Sequence, residues 1–263
     1  MELFRALGAL AEPPRPEHAR LAHVLGLGEP PDEAAFTELF VLELPPFASI
    51  YTSDEGMLGG MARDRVAGFW RAIGRRVPTE PDHLTVLLGM YASLEEHEQS
   101  AERDERPDNP RWRHARTALF WEHLASWLPA YLMRVQEIAP PFYCAWAELL
   151  YASMRVTARG FGPPLAAPFH LREASPLTDF TVLKQDELIG VLLAPARSGL
   201  ILTRRDHAAA ARELGLGLRV GERRFALRYL LDQAPEPVLA WLQIEALRQA
   251  KLHRTAPDEL QCV

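Results

Sequence analysis

The spacing of apolar side chains most constrains the fold of this chain. Along most of the 263 residues, apolar positions recur three and four apart, which is the period of one face of an α-helix. The alternation expected of a strand is almost absent, and proline, glycine and acidic clusters interrupt the pattern at helix-length intervals. The sequence therefore predicts an all-α, multi-helix bundle with enough residues for a large core.

A segment rich in proline and glycine divides the chain into two predicted parts. Residues 158–176, ARGFGPPLAAPFHLREASP, have no periodicity and are typical of a linker. We place the boundary near residue 178, with a helical domain over 1–178 and a helical C-terminal extension over 179–263. In the extension, Thr203 and Asp206 are spaced as a capping box at the start of a helix.

Composition excludes several classes of protein. The 29 basic and 35 acidic residues leave a formal net charge of −6, which argues against a protein dominated by nucleic-acid binding. The two cysteines, Cys144 and Cys262, provide neither a disulfide framework nor a CxxC site. The N-terminus lacks a long enough apolar stretch for a secretory signal, and no run of about 18 apolar residues predicts a membrane span. These features indicate a cytoplasmic protein.

The first half of the chain predicts helices separated by one distinctive loop. Residues 32–43 form a helix that begins at Asp32, and residues 60–74 and 80–98 form two more. Between them, PPFASIYTSDEGMLGG (45–60) combines prolines and glycines and predicts a loop without a regular element.

A longer apolar stripe occupies the middle of the chain. It runs through residues 114–138, where Pro129 is expected to kink or divide the helix. A further helix begins with Pro140 and Pro141 in its first turn, where proline is tolerated.

The dipeptide Asp82-His83 raises the question of chemistry. Thr79 and Asp82 match a variant capping box, with Asp82 opposite the apolar stripe and His83 at its border. Such a histidine can shuttle protons, bind a metal or contact a peptide. The chain has no GxSxG, no histidine pair at metal-ligand spacing and no phosphate-binding loop. Cys144 resembles a buried small apolar residue. We therefore predict no catalytic residue, no metal and no cofactor.

Four motifs resemble the TorD/DmsD/NarJ family of cytoplasmic chaperones for molybdoenzymes. They are PPFASIY (45–51), VAGFWRAIG (66–74), EPDHLTVLLGMYASL (80–94) and the H-L-x-x-W-x-P region within 120–149, in the same order as in that family. The resemblance implies an all-helical protein that is not an enzyme. It implies binding to the twin-arginine signal peptide and precursor of a molybdopterin oxidoreductase subunit until the cofactor is inserted.

The same resemblance implies a peptide groove. The groove combines apolar residues with a polar rim. We add Glu80 to the rim, because an arginine of the peptide can pair with carboxylates and stack on aromatic rings. The predicted peptide-binding residues are Pro46, Phe47, Tyr51, Phe69, Trp70, Glu80, Asp82 and His83. Whether the protein forms a homodimer stays open.

The extension suggests an alternative function. The stretch TRRDHAAAARELGLGLRVGERRFALRYLL resembles a helix-turn-helix, and residues 197–228 hold eight arginines against three acidic residues. A DNA-binding regulator is therefore the alternative to a chaperone. The acidic remainder of the chain would repel DNA phosphates, so helix packing or contact with a partner protein is favoured over nucleic acid.

Overall fold

The structure, a computed structural model, describes residues 2–103, 110–173 and 182–255. Within these ranges every regular element is a helix, and the only strand-like pairing there is an isolated antiparallel bridge between Phe47 and His83. The predicted all-α, multi-helix fold is confirmed.

The helices fall into three stretches of the chain. The first stretch contains α1 (Glu2–Ala9), α2 (Pro16–Leu25), α3 (Glu33–Phe36), the π-helix π1 (Thr37–Glu43), α4 (Ala48–Thr52), α5 (Gly60–Ala72) and α6 (Leu84–Arg103). The second contains α7 (Pro110–Ala118), the π-helix π2 (Leu119–Leu124), α8 (Leu128–Ile138), α9 (Pro141–Phe161) and α10 (Phe169–Arg172). The third contains α11 (Gln185–Leu192), α12 (Pro195–Ser198), α13 (Arg204–Leu214), α14 (Arg223–Gln233) and α15 (Pro235–Thr255).

The main core forms around α6 and α9. Helix α6 packs against α1 and α7, and α9 packs against α8. The largest buried side chains of this core include Trp146 and Tyr131. The indole N–H of Trp146 donates to the carbonyl of Leu7 at 2.9 Å, and the hydroxyl of Tyr131 donates to the carbonyl of Leu44 at 3.0 Å. Because a buried ring donor needs an acceptor, these bonds connect distant segments as well as satisfying the donors.

Local sequence signals set several helix ends. The Asp32 carboxylate accepts from the backbone N–H of Ala35 at 2.9 Å, which confirms it as the cap of α3. The capping box of Thr203 and Asp206 is also confirmed, because each side chain accepts from the other's backbone N–H. Pro129 lies in the first turn of α8, so the long apolar stripe is divided just before it.

Two expectations about irregular segments were wrong. The loop 45–60 contains the short helix α4, because residues 48–52 lie between its prolines and glycines and bury one side against the core. The proposed linker 158–176 begins inside α9, which continues to Phe161, and it includes α10. The predicted boundary at residue 178 falls in 174–181, outside the described residues, so the division into 1–178 and 179–263 stays a prediction.

Residues 182–255 have a smaller core of their own, formed by α11, α13, α14 and α15. It includes Ile189, Leu227, Leu230 and Val238, all fully buried.

An ionic interface joins this smaller unit to the bundle. Arg134 of α8, 3% exposed, donates to both carboxylate oxygens of Asp206 at 2.9 and 2.7 Å and also pairs with Glu137. Helix α15 contributes Glu245, whose carboxylate is 3.6 Å from Arg134. A buried charge is tolerated only when it is paired in this way.

Candidate functional site

The segment after the two prolines is bound to the start of α6. The backbone N–H of Leu84 donates to the carbonyl of Pro46 at 2.8 Å, and the N–H of Ala48 donates to the carbonyl of Asp82 at 3.0 Å. These bonds form the isolated bridge between Phe47 and His83. The structure therefore brings the first and third motifs of the sequence together.

Asp82 has a different role from the predicted capping box. Its carboxylate accepts from the backbone N–H of Ser49 at 3.1 Å, at the start of α4, and the residue is 1% exposed. Helix α6 begins at Leu84, five residues after Thr79, so Thr79 is not its cap. The prediction that Asp82 lies opposite the buried face was also wrong, because helical geometry does not yet apply at residue 82. Asp82 caps a neighbouring helix instead of its own.

His83 occupies the capping position of α6. Its ring Nδ1 accepts from the backbone N–H of Thr85 at 3.3 Å, and its ring meets that of Phe47 edge-on at a centroid distance of 4.7 Å. Burial lowers the pKa of His83, and the nearby Glu80 partly opposes this shift. The imidazole is thus a neutral, half-buried group.

The other predicted aromatic residues differ in accessibility. Tyr51 is buried, stacks on Trp127 at 5.2 Å and donates its hydroxyl to the carbonyl of Pro45 at 3.0 Å. Phe69 and Trp70 are half-buried on α5. Phe69 contacts the ring of His123 at 5.1 Å, and the indole N–H of Trp70 donates to the carbonyl of Pro81 at 3.4 Å.

The eight predicted residues therefore fall into two groups. Those with surface within reach of a ligand are Phe47, Phe69, Trp70, Glu80 and His83, and those inside the protein are Pro46, Tyr51 and Asp82. The second group can support a site from within but cannot touch a peptide in this conformation.

A recess of about 210 Å³ lies on the other side of α4 and α5. Its lining combines Val66 and Trp127 with the guanidinium of Arg65, which lies 4.5 Å above the ring of Phe169. None of the eight predicted residues lines it. His123 and His170 are also in its wall, and burial lowers the pKa of each to about 4.

The loop 53–61, which comprises the connection between α4 and α5 and the first two residues of α5, carries an apolar surface that the sequence analysis missed. Met57 and Leu58 are each 61% exposed, and Met61 is 81% exposed. Asp54 and Glu55, directly before them, are exposed, and no cation among the described residues pairs with their carboxylates. The letters SDEGMLGGM show flexible methionine and leucine side chains beside two acidic residues, but the predicted groove was based on aromatic residues.

The backbone of this loop rests on the C-terminal extension. Gly56 has a φ of +63°, and a Cβ placed there would lie 2.3 Å from the carbonyl oxygen of Leu193 and 2.8 Å from the Cα of Ala194. Only glycine allows this approach. The exposed loop is therefore held between the bundle and the α11–α12 turn.

Catalytic and metal-binding alternatives find little support in the geometry. Cys144 on α9 is half-buried, its Sγ lies 3.2 Å from the carbonyl of Ala139, and burial raises the pKa of its thiol. Within residues 2–103, 110–173 and 182–255, no group of three His, Cys, Asp or Glu side chains could hold a metal ion. In the same ranges, no helix is both long and apolar enough to cross a bilayer.

The helix-turn-helix alternative has the wrong geometry. Eight residues, 215–222, separate α13 from α14, whereas the DNA-binding motif uses a turn of about three to four residues. The arginines of α14 are also occupied within the protein: Arg223 donates to the carbonyl of Leu202, and Arg228 pairs with Asp186.

The described residues form an all-helical bundle with an exposed, acid-flanked apolar loop, and these features are typical of a binding protein. The family model described as nitrate reductase delta subunit matches residues 27–132. This part of the chain is therefore similar to the NarJ/TorD-type chaperone family, in agreement with the resemblance of its motifs, and the members of that family assist the assembly of molybdoenzymes. The search of curated proteins found no match to the chain.

Proposed function

We propose that this protein is a cytoplasmic chaperone that binds the twin-arginine signal peptide of a molybdopterin oxidoreductase precursor and holds the precursor until its cofactor is inserted. The observation that carries the proposal is the loop 53–61, where the exposed acids Asp54 and Glu55 adjoin the exposed side chains of Met57, Leu58 and Met61. Within the part of the chain that the structure describes, no cation pairs with these two acids. A signal peptide of this type presents two guanidinium groups followed by an apolar stretch, so the charges and apolar groups are complementary in kind.

Each part of the loop supplies one component of recognition. Carboxylates accept hydrogen bonds from arginine in a planar, two-point geometry that lysine cannot reproduce. Methionine and leucine bury apolar peptide side chains, and the flexible thioether lets one surface fit different sequences. The half-buried Phe47, Trp70 and His83 and the exposed Glu80 extend the proposed surface.

Rigid support behind the loop favours binding. Buried Asp82 holds the start of α4, and buried Tyr51 of this helix stacks on Trp127, directly before α8. Because the supporting side chains are already ordered, the protein loses less conformational freedom on binding a peptide. Micromolar affinity follows naturally from a small, partly polar surface and permits release before export.

Fluorescence anisotropy with a labelled synthetic twin-arginine signal peptide tests the proposal. The combined variant Asp54→Asn/Glu55→Gln is expected to weaken binding by about tenfold at low salt, since two exposed charge pairs are lost. The matched control Glu17→Gln/Glu29→Gln removes two exposed acids from another surface and should bind as the unmodified protein does.

Two further comparisons separate the charged from the apolar contribution. A peptide with Lys-Lys in place of Arg-Arg should bind more weakly, and Leu58→Ser should weaken both peptides equally. If the unmodified protein binds the Arg-Arg and Lys-Lys peptides with the same affinity, signal recognition by this surface is rejected.

A further inference from the structure

A second recess lies where the extension meets the bundle. It has a volume of about 330 Å³ and is lined by residues of π1, the first turns of α13 and the 215–222 connection. The exposed apolar side chains around it are Leu42 (39%), Leu218 (37%) and Val220 (84%). This recess shares no lining residue with the loop 53–61.

The charges in this recess leave two arginines available. The carboxylate of Glu43 accepts from the backbone N–H groups of Arg204 and Arg205 at 2.8 and 3.3 Å, and Glu38 pairs with the side chain of Arg205 at 3.8 Å. These contacts occupy both acids of the lining. Among the described residues, no carboxylate pairs with the guanidinium of Arg204.

Arg219 is the second available cation. Its guanidinium lies 4.7 Å from the ring centre of Tyr229 and 6.0 Å from that of Phe225, and among the described residues no carboxylate pairs with it. Stacking on rings leaves the edge of the guanidinium, with its N–H donors, open to an acceptor. The recess is therefore locally basic although the protein as a whole is acidic.

His207 is an independent observation that points to a ligand at this recess. The residue is 2% exposed and lines the recess, and among the described residues neither ring nitrogen has a hydrogen-bond partner. A buried polar group without a partner costs stability, so such groups are uncommon unless they serve another purpose. A neutral imidazole can donate one hydrogen bond to an incoming acceptor.

We propose that this recess is a second docking surface, which binds an acidic segment of a partner protein that carries aliphatic side chains next to its carboxylates. A carboxylate of the segment pairs with Arg204 and Arg219 and reaches the imidazole of His207, while its aliphatic neighbours cover Leu218 and Val220. The inference does not depend on the signal-peptide surface. It assigns the extension a role in holding a partner protein.

The residues of the recess favour a peptide over nucleic acid. Nucleic acid would be attracted by a broad basic face that contacts many phosphates, but here Glu38 and Glu43 lie in the same lining, and the arginines of α14 are engaged internally. Aliphatic side chains at the rim match a protein segment and offer nothing to a phosphate backbone.

Anisotropy with a labelled twelve-residue peptide of alternating Glu and Leu tests the proposal on the full-length protein, with a Lys/Leu peptide of the same length as the control ligand. Arg204→Glu is expected to weaken binding of the acidic peptide by at least about tenfold, the size of one lost charge-assisted hydrogen bond. Arg212→Glu reverses an exposed charge on the same helix outside the recess and should leave the affinity within about twofold.

A matched pair of valine variants tests the apolar contact. Val220→Ser should weaken binding, whereas Val24→Ser changes an equally exposed valine (81%) on α2 and should not. Circular dichroism of each variant verifies that its helices are retained.

The variant His207→Leu distinguishes a ligand-binding role of His207 from a purely structural one. It should raise the midpoint of thermal unfolding, because an unpaired polar group is removed, and it should also weaken the acidic peptide. Weaker binding together with a lower midpoint would instead identify His207 as a packing residue and overturn its assigned role.

Four results would overturn the proposal as a whole. The unmodified protein could fail to bind the acidic peptide, or Arg212→Glu could weaken it as much as Arg204→Glu. A double-stranded DNA oligonucleotide could bind more tightly than the peptide and be lost in Arg204→Glu, which would identify a nucleic-acid surface. Sedimentation velocity could show self-association that Val220→Ser abolishes, which would identify a homodimer contact.

Discussion

At the scale of single residues, Asp82 and His83 exchange the roles expected of them. The acid caps α4 from 33 residues away, and the imidazole caps the helix that the acid was expected to begin. An acidic residue near a helix start is favourable at any positive helix end that it reaches. The sequence identifies the residue types, and the tertiary contact decides which helix each serves.

Replacement of Asp82 distinguishes these roles. Asp82→Ala leaves the buried N–H of Ser49 without its acceptor and should lower the free energy of unfolding by about 1–3 kcal/mol. Thr79→Ala should change it by no more than about 0.5 kcal/mol, because Thr79 is exposed and lies outside α6. Urea denaturation followed by circular dichroism measures both values. Equal losses would support the predicted capping box of Thr79 and Asp82 instead.

At the scale of elements, the loop between α4 and α5 contacts the α11–α12 turn as well as the bundle. Gly56 of this loop packs on the α11–α12 turn, while α4 packs against both α5 and α12. The exposed apolar side chains follow directly after this contact. The C-terminal extension therefore helps to set the conformation of the loop that we propose as the signal-peptide surface.

Gly56→Ala should reveal this support, with Gly26→Ala as the matched control. The two glycines have similar φ values, +63° and +67°, so each substitution should cost about 1–2 kcal/mol of backbone strain. Only at position 56 does the added methyl group collide with another backbone, and a further cost of about 1–3 kcal/mol is expected. Urea denaturation measures the loss of unfolding free energy in each variant. Equal losses would show that the loop moves aside without cost and that the extension does not support it.

At the scale of the whole molecule, buried imidazoles make stability depend on pH. Burial lowers the pKa of His123, His170 and His207 to about 4, and it lowers the pKa of His18 and His83 as well. Arg65 contributes to the shift at His123 and His170. In the unfolded chain these groups titrate near pH 6.5.

Stability should therefore fall as the solution is acidified. Between pH 6.5 and 4 the unfolded chain binds more protons than the folded one, so the free energy of unfolding is greatest above pH 6.5 and declines below it. Each buried imidazole contributes up to about 1.4 kcal/mol per pH unit in this window. The raised pKa of Glu43 acts in the opposite direction and reduces the net slope.

Urea denaturation at pH 7, 6 and 5 measures the slope. His207→Leu should make it shallower, because one buried titrating group is removed, and His23→Gln, at an exposed position, should leave it unchanged. A stability that is constant from pH 7 to 5 would contradict the assignment of these histidines as buried and neutral.

The sequence by itself determined the local features of this protein. Helical spacing, the caps at Asp32 and Thr203, the break before Pro129 and the four family motifs all depend on residues within a few turns of one another. Such signals can be recognised from the sequence alone because the interactions that produce them span only three or four positions.

Only the tertiary structure decided which side chains meet and which stay exposed. Tyr51 and Asp82 are buried because α4 packs on α8 and on the start of α6, whereas Met57 and Leu58 remain outside because the backbone at Gly56 lies against the extension. Burial at these positions results from pairing between segments that are tens to more than a hundred residues apart. No local pattern encodes that pairing, so the apolar residues of the loop could be counted in the sequence but their accessibility could not be predicted.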